Sequence, residues 1–437
     1  MADFDAIVVG SGCAGSVAAY ELAKAGKSVL VVERGNYAGA KNMTGGRIYG
    51  HCLRAVFPDN YDEIPFERKV SHERISLMSP DSNFTIDFAS DDLLKDGQES
   101  YTVLRGPFDQ WLAEQAENAG AEYIYGIAVE KLVKDESGKV IGIFAGEDEI
   151  TADVVVLCDG ANSLLAEQAV GAARPSSAQM AVGIKQVYEL PAEEIEKRFQ
   201  CNPGEGAAWL FAGDATHGTF GGGIIYTNKD SISLGIVAGI EATATKASVP
   251  VYQMLEDLKN RPEVAPVLKG AKLVEHSGHM VPEGGITTMP DLIADGVLIA
   301  GDNATMCVNL GYTVRGMDYA VAAGQMAGQS AAKALDASDT SKAGLQCYVD
   351  ALENSFVMKD LRQFKNVPNF MEHFDRMFCG YPEMIRDMMN TMFVVDGTPV
   401  APMKKSMMPI VKGMGMMNLF KDVRGAMKAL LVISNSR

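Results

Sequence analysis

The hydrophobic pattern of the chain changes period several times, and each change marks an element. Phe4–Val9 is a short apolar run rich in β-branched residues, the pattern of a buried parallel strand. It ends in Gly10-Ser-Gly12-Cys-Ala-Gly15; residues 16–25 then have helical composition, Gly26 stops them, and a second buried strand, 28–32, finishes at Glu33. Two later buried strands end in short acidic turns: 151–158 turns at Asp159-Gly160, and 296–300 turns at Gly301-Asp302 before a small-residue helix over 317–333. Between them the period shortens to two. The runs 181–190, 207–213, 219–227 and Ser231–Gly239, separated by Gly and Pro turns, predict an antiparallel sheet. Gly221, Gly222 and Gly223 in the third run fit either a close approach to a flat ring or a bulge. From Pro409 onward Met416, Leu419, Phe420, Val423, Met427, Leu430 and Leu431 recur at helical spacing, with Lys421, Arg424 and Lys428 on an adjacent face. That stripe fits an interfacial helix, a helix docking on a partner, or a core helix with a solvated edge.

The 437 residues, with mean hydropathy near zero, can bury a large core and hold two or three intertwined domains. No stretch approaches the 18 to 20 apolar residues that cross a bilayer. The opening Met-Ala-Asp-Phe-Asp leaves no room for a secretory leader, so the expected location is cytoplasmic. Seven scattered cysteines lack any zinc or iron–sulfur spacing, and no metal is expected. The net charge of −17 is unevenly spread: residues 403–437 carry seven Lys or Arg against Asp422 alone. A body this acidic argues against nucleic acid, while its basic tail points to an anionic membrane surface or a protein partner.

The glycine-rich loop carries the strongest chemistry. Gly10 makes the tight turn, Gly12 lets backbone approach a pyrophosphate, and Gly15 lets the helix pack on the strand. The helix N-terminus offers unpaired N–H groups to phosphate. Glu33 is placed to accept from an adenosine ribose and would repel a 2′-phosphate, so the expected ligand is FAD or NAD.

The Asp159-Gly160 and Gly301-Asp302 turns resemble the flavin-contact motifs of the glutathione-reductase-type flavoproteins, in the branch of aromatic hydroxylases, geranylgeranyl reductases and electron-transfer flavoprotein:quinone oxidoreductases. The resemblance implies FAD: Asp302 on the ribityl chain, the helix after it aimed at the flavin pyrimidine, and Arg105, in Thr-Val-Leu-Arg105-Gly106-Pro, near the pyrophosphate. Residues 36–50, the stretch His276-Ser-Gly-His279-Met-Val-Pro282-Glu283, and Asn309-Leu-Gly311-Tyr-Thr-Val-Arg315-Gly316-Met317-Asp318 resemble the FixC family more closely, over nearly the whole chain. On this resemblance the residues expected to border FAD are Gly10, Gly12, Cys13, Ala14, Gly15, Glu33, Arg34, Thr44, Gly45, Gly46, Arg105, Ala128, Asp159, Gly160, Gly301, Asp302, Gly311, Arg315, Gly316 and Met317. Whether Arg47 or Arg315 touches flavin, quinone or backbone carbonyls stays open, and His276 and His279 read as structural hydrogen-bonding groups.

The resemblance implies an α/β fold: an FAD-binding Rossmann unit (1–75, 100–172, 286–345), an inserted antiparallel sheet on the quinone side (76–99, 173–285) and a helical C-terminal region (346–437). It implies electrons passing from a heterodimeric electron-transfer flavoprotein through FAD to a membrane quinone. The ferredoxin-like cluster would reside in a separate subunit, and any bifurcation from NADH in the electron-transfer flavoprotein. The alternatives on the same fold are an NAD(P)H-dependent prenyl reductase or flavin monooxygenase, and a non-catalytic lipid-binding relative; intact Glu33, Asp159 and Asp302 weigh against the latter.

Overall fold

The computed structural model describes residues 2–43 and 46–430. Two sheets organise it. The first has Phe4–Val9 at its centre, parallel to Val29–Glu33 on one side and to Asp148–Leu157 on the other. Glu122–Tyr125 and Val297–Ile299 extend it in parallel at the flanks. Ala6 to Val8 and Val154 to Val156 have no solvent exposure, as strands covered on both faces require. The hairpin Val129–Lys134 and Val140–Ala145, for which the apolar pattern gives no separate signal, hangs from the early half of Asp148–Leu157.

Helices Cys13–Lys24 and Met317–Asp336 pack on each other at this sheet. Their contact is set by absent side chains. A Cβ at Gly324 would collide with the Ala14 carbonyl oxygen, and one at Gly328 would lie 2.6 Å from the Ala18 carbonyl oxygen. The small-residue composition of 317–333 is therefore a backbone-to-backbone crossing, and the helix runs three residues past its expected end.

The second sheet orders nine strands as Lys272–Pro282, Met180–Glu189, Ser231–Gly239, Gly221–Thr227, Glu205–Gly213, Lys69–Ser79, Ser100–Val103 and Gly46–Tyr49, with Ser82–Ala89 also paired to Lys69–Ser79. All neighbours are antiparallel except Glu205–Gly213 with Lys69–Ser79. The four runs expected between 181 and 239 are all present in it. Gly46–Tyr49, Ser100–Val103 and the start of Lys69–Ser79, from stretches expected within the cofactor unit, pair in this sheet instead. Helices Ala192–Phe199 and Val251–Asn260 cover its far face around Ile225, Leu234 and Ile236. The C-terminal region is helical, from Gln346–Asn354 to Met416–Leu430. Among the described residues no helix is long and apolar enough to cross a membrane.

Candidate functional site

A cavity of about 540 Å³ lies between the two sheets, within the usual size of ligand clefts. One end is built from the first sheet's strand termini. Phe4–Val9 runs into the glycine loop, where Gly10 has φ +95° and a Cβ would strike the Cys158 carbonyl. At Gly12 an added Cβ would meet only the tips of Arg105 and Asn42, at 3.7 and 3.8 Å, so the backbone there is open. Cys13 and Ala14 open the helix beside it and line the cavity; burial pushes the Cys13 thiol up to about 12, leaving it protonated. Gly15 does not line the cavity: it seats the helix on the Gly10 carbonyl, where any Cβ would collide. This is the helix-packing role expected of it from the glycine spacing.

Glu33 closes the loop. One carboxylate oxygen accepts from the Ser11 amide at 2.8 Å and the other from the Gly35 amide at 2.6 Å, which leaves each oxygen capacity for one more bond. Arg105 presents its guanidinium to Gly12 while Asp109, fully buried, accepts from its Nε and Nη2 at 3.0 and 2.8 Å. An anion held there would meet a helix N-terminus and a fixed cation together. Arg34, Ala128, Asp159 and Gly160 continue the wall. Burial lifts the Asp159 carboxyl to about 6, and Asn303 donates to it at 2.6 Å.

The middle of the cavity is bounded by Gly301 and Asp302, Gly311, Gly316, Met317 and Gly46. Burial raises the Asp302 carboxyl, against the pull of Arg105 and His279. Thr44 and Gly45 lie outside the described residues. Arg315 reaches the wall, but its guanidinium is engaged by Asp318 and, at 2.6 Å, by Asp360. Arg47 is likewise held by Glu73 and by Ser100 Oγ, at 3.0 and 2.9 Å. Both arginines thus answer acids supplied by other elements, of which Asp318 is buried and Glu73 and Asp360 are partly exposed, an option the local motif could not disclose.

The second sheet supplies the other wall, and most of it was missed from sequence. Lys185, Tyr226, His279 and Glu283 line it, with Leu210, Phe211 and Phe220 at its apolar end. Met371, Met377 and Phe378 of the C-terminal region close that end. The one available signal was Lys185, the one cation in the strand Met180–Glu189. Gly221, Gly222 and Gly223 serve neither expected purpose alone: they line the cavity, yet Cβ atoms there would strike Val237 O, Phe211 O and Leu258, with no slip in register. His276 lies 3.3 Å from the Gln186 amide and outside the cavity, whereas His279 is bonded to the Met280 carbonyl. Among the described residues no group of three or more His, Cys, Asp or Glu is arranged to hold a metal ion.

Residues 5–95 match the FAD dependent oxidoreductase model, and residues 367–431 match the ETF-QO/FixC family C-terminal domain. The chain is 48% identical over 431 residues to Protein FixC of Escherichia coli K12, covering 98% of this chain and 99% of that one. The chain belongs to the ETF-QO/FixC family. It is also 48% identical to the probable electron transfer flavoprotein-quinone oxidoreductase YdiS of the same organism, over 97% of this chain and 98% of that one. Among solved structures, a geranylgeranyl bacteriochlorophyll reductase-like protein from Thermoplasma acidophilum shares the fold at TM-score 0.70 and 18% identity, over 97% and 99% of the two chains. The FAD-dependent halogenase CndH matches at TM-score 0.65 and 16% identity, over 98% and 97%.

The protein is an FAD-dependent oxidoreductase. The glycine cradle, open at Gly12 and flanked by Arg105, fits a dinucleotide pyrophosphate.

Proposed function

We propose that this FixC-family chain passes electrons from an electron-transfer flavoprotein through FAD to a quinone. The observation that carries the reading is the asymmetry of one continuous cavity. Its polar end, at Gly12, Glu33 and Arg105, suits the adenosine and pyrophosphate of FAD, and the turn at Asp302 with the N-terminus at Met317 suits the ribityl and flavin. Its other end, walled by Leu210, Phe220, Met377 and Phe378, suits a flat apolar acceptor. FAD supplies reversible two-electron chemistry when bound; the chain's part is to orient it, shield it from water and hold its phosphates.

The remaining pieces follow from the same reading. Residues 1–75, 100–172 and 286–345 serve the cofactor, 76–99 and 173–285 the quinone side, and 346–437 a partner or membrane surface. A separate ferredoxin-like subunit carries the iron–sulfur cluster. The FixC and quinone-oxidoreductase names of the 48% identical relatives support this assignment.

The test is anaerobic: the purified yellow protein is mixed with NADH alone, or with NADH plus an electron-transfer flavoprotein, while flavin absorbance is followed. Bleaching only with the flavoprotein present is expected. Rapid bleaching by NADH or NADPH alone would overturn the relay and point to a reductase.

A further inference from the structure

Turning a quinone into a quinol takes two electrons and two protons, and where apolar side chains surround the acceptor a titratable group of the cavity wall can deliver a proton. Of the titratable groups that the second sheet brings to the cavity wall, Lys185 is the most deeply buried. Lys185 lies on the cavity side of Met180–Glu189, only 6% exposed. Its neighbours across the sheet are Ser277 on one side and Gly235 on the other. A Cβ at Gly235 would sit 2.6 Å from the Lys185 Cγ, so the missing side chain there makes room for the lysine stem. The stem carries Nζ to 5.8 Å from the Tyr226 ring centre.

We propose that Lys185 donates a proton to the quinone oxygen during reduction and is recharged through Glu275; the inference rests on the quinone reading above. Three elements face the amine with charged or titratable groups. Helix Arg105–Asn118 presents Arg105, strand Lys272–Pro282 presents Glu275 and His279, and strand Gly221–Thr227 presents Tyr226. Arg47, Glu283 and Asp302 line the same cavity. Burial and then Arg105 work against the ammonium, Glu275 works for it, and the balance brings Lys185 down to about 7. A general acid is most effective when its pKa lies near the working pH. Glu275 is only half-buried, on the outermost strand, so it links Lys185 to solvent; burial raises its carboxyl, which eases proton uptake.

The step balances. The quinone gains two electrons and one proton from anionic reduced FAD, which has one transferable proton, and its second proton from Lys185 as an N–H bond of its ammonium breaks and an O–H bond forms. The neutral amine then takes a proton from Glu275, which is reprotonated from water.

The FAD-loaded full chain tests this in two ways. Competitive labelling with acetic anhydride, read by peptide mass spectrometry, should show Lys185 half-reactive near pH 7; a midpoint at the ordinary lysine value near 10 overturns the proposal. Pre-reduced protein is then reoxidised by a soluble quinone or by ferricenium, which takes an electron without a proton. Lys185→Met and Lys185→Arg should lower the ratio of quinone to ferricenium rates about a hundredfold. The wild-type quinone rate should fall as pH rises through about 7, and this dependence should be absent in Lys185→Met. A Lys185→Met protein matching wild type in rate and pH profile overturns the inference alone, whereas wild type inert to quinone but active with ferricenium overturns it together with the quinone reading. Should Lys185→Met lose FAD, Lys185→Arg, which keeps length and charge, and the labelling midpoint decide.

Discussion

Glu283 shows how a single residue in this cavity couples to pH. Burial lifts its carboxyl from 4.5 to about 7, and only Asn309 pulls the other way. In the unfolded chain the same carboxyl ionises near 4.5. The folded state therefore keeps the proton longer, and the stability it contributes is full below about 4.5 and lost as pH rises through about 7. Glu283→Gln removes the titration and keeps the shape. The variant should match wild type near pH 5 and be more stable at pH 8 by about 1 kcal/mol, discounted for solvent screening. Thermal melts of the FAD-loaded proteins at both pH values check this, with a rise of about 1–3 °C expected at pH 8 only; an equal gap at both values would show packing and not charge. Arg47 and Arg315 teach the complementary lesson. Their sequence surroundings mark them as important, but their partners, Glu73, Ser100 and Asp360, come from elements 26 to 53 residues away, so local reading could not choose among flavin, quinone and carbonyl.

At the scale of elements, the crossing of helices Cys13–Lys24 and Met317–Asp336 fixes the glycine loop against the turn at Asp302. Alanine normally stabilises a helix relative to glycine by up to about 1 kcal/mol. At Gly328 the sign should reverse, because the nearest atoms are the Ala18 carbonyl oxygen and the Glu21 Cβ of the facing helix, which cannot move aside. Gly328→Ala is expected to destabilise by about 1–3 kcal/mol and weaken FAD retention. Gly106→Ala, at a helical position with nothing within 4 Å, should be neutral or stabilising. Denaturant titration with flavin fluorescence compares the two, and equal effects would show that the crossing is not tight. The same helix pair marks what the sequence could tell. Phe4–Val9, the glycine loop and the acidic turns were legible because each is a local pattern with one physical solution: a buried strand, a positive φ at Gly10, a helix end. The roof over the cavity was not. Gly46–Tyr49, Ser100–Val103 and Lys69–Ser79 join the second sheet through pairings separated by up to 136 residues, and no local period records a long-range partner. Lys185 and Glu283 were missed as site residues for that reason, since only the pairing brings them to the cavity.

Across the whole molecule, charge and exposed apolar surface are unevenly spread between the body and the C-terminal helices. The body is strongly acidic and an anionic bilayer would repel most of it. On helix Met416–Leu430, Met416, Met417, Phe420, Val423 and Met427 are each more than half exposed, and Lys421, Arg424 and Lys428 are exposed beside them. That exposure favours the interfacial reading of the stripe over the core reading; Leu431 lies outside the described residues. Asp422, the tail's one acid, is turned inward and held by Arg376 and, at 2.9 Å, by Tyr381. The described surface of this helix thus offers apolar and cationic groups without an opposing carboxylate. Exposed Phe393, Val395 and Val400 on the preceding segment enlarge the apolar area. An apolar strip bordered by cations is the arrangement that lies in an anionic interface. The holoprotein should therefore sediment with vesicles containing phosphatidylserine and remain in solution with purely zwitterionic ones. Each basic residue near such a surface contributes about 1 kcal/mol, so Lys421→Gln, Arg424→Gln and Lys428→Gln together should weaken binding by roughly a hundredfold, and raised salt should mimic them. Phe420→Ser should weaken it without changing the salt dependence. Binding that ignores both lipid charge and these variants would assign the face to a protein partner, because a bilayer reads the charge of this strip whatever its detailed shape, whereas a docked subunit depends on the shape.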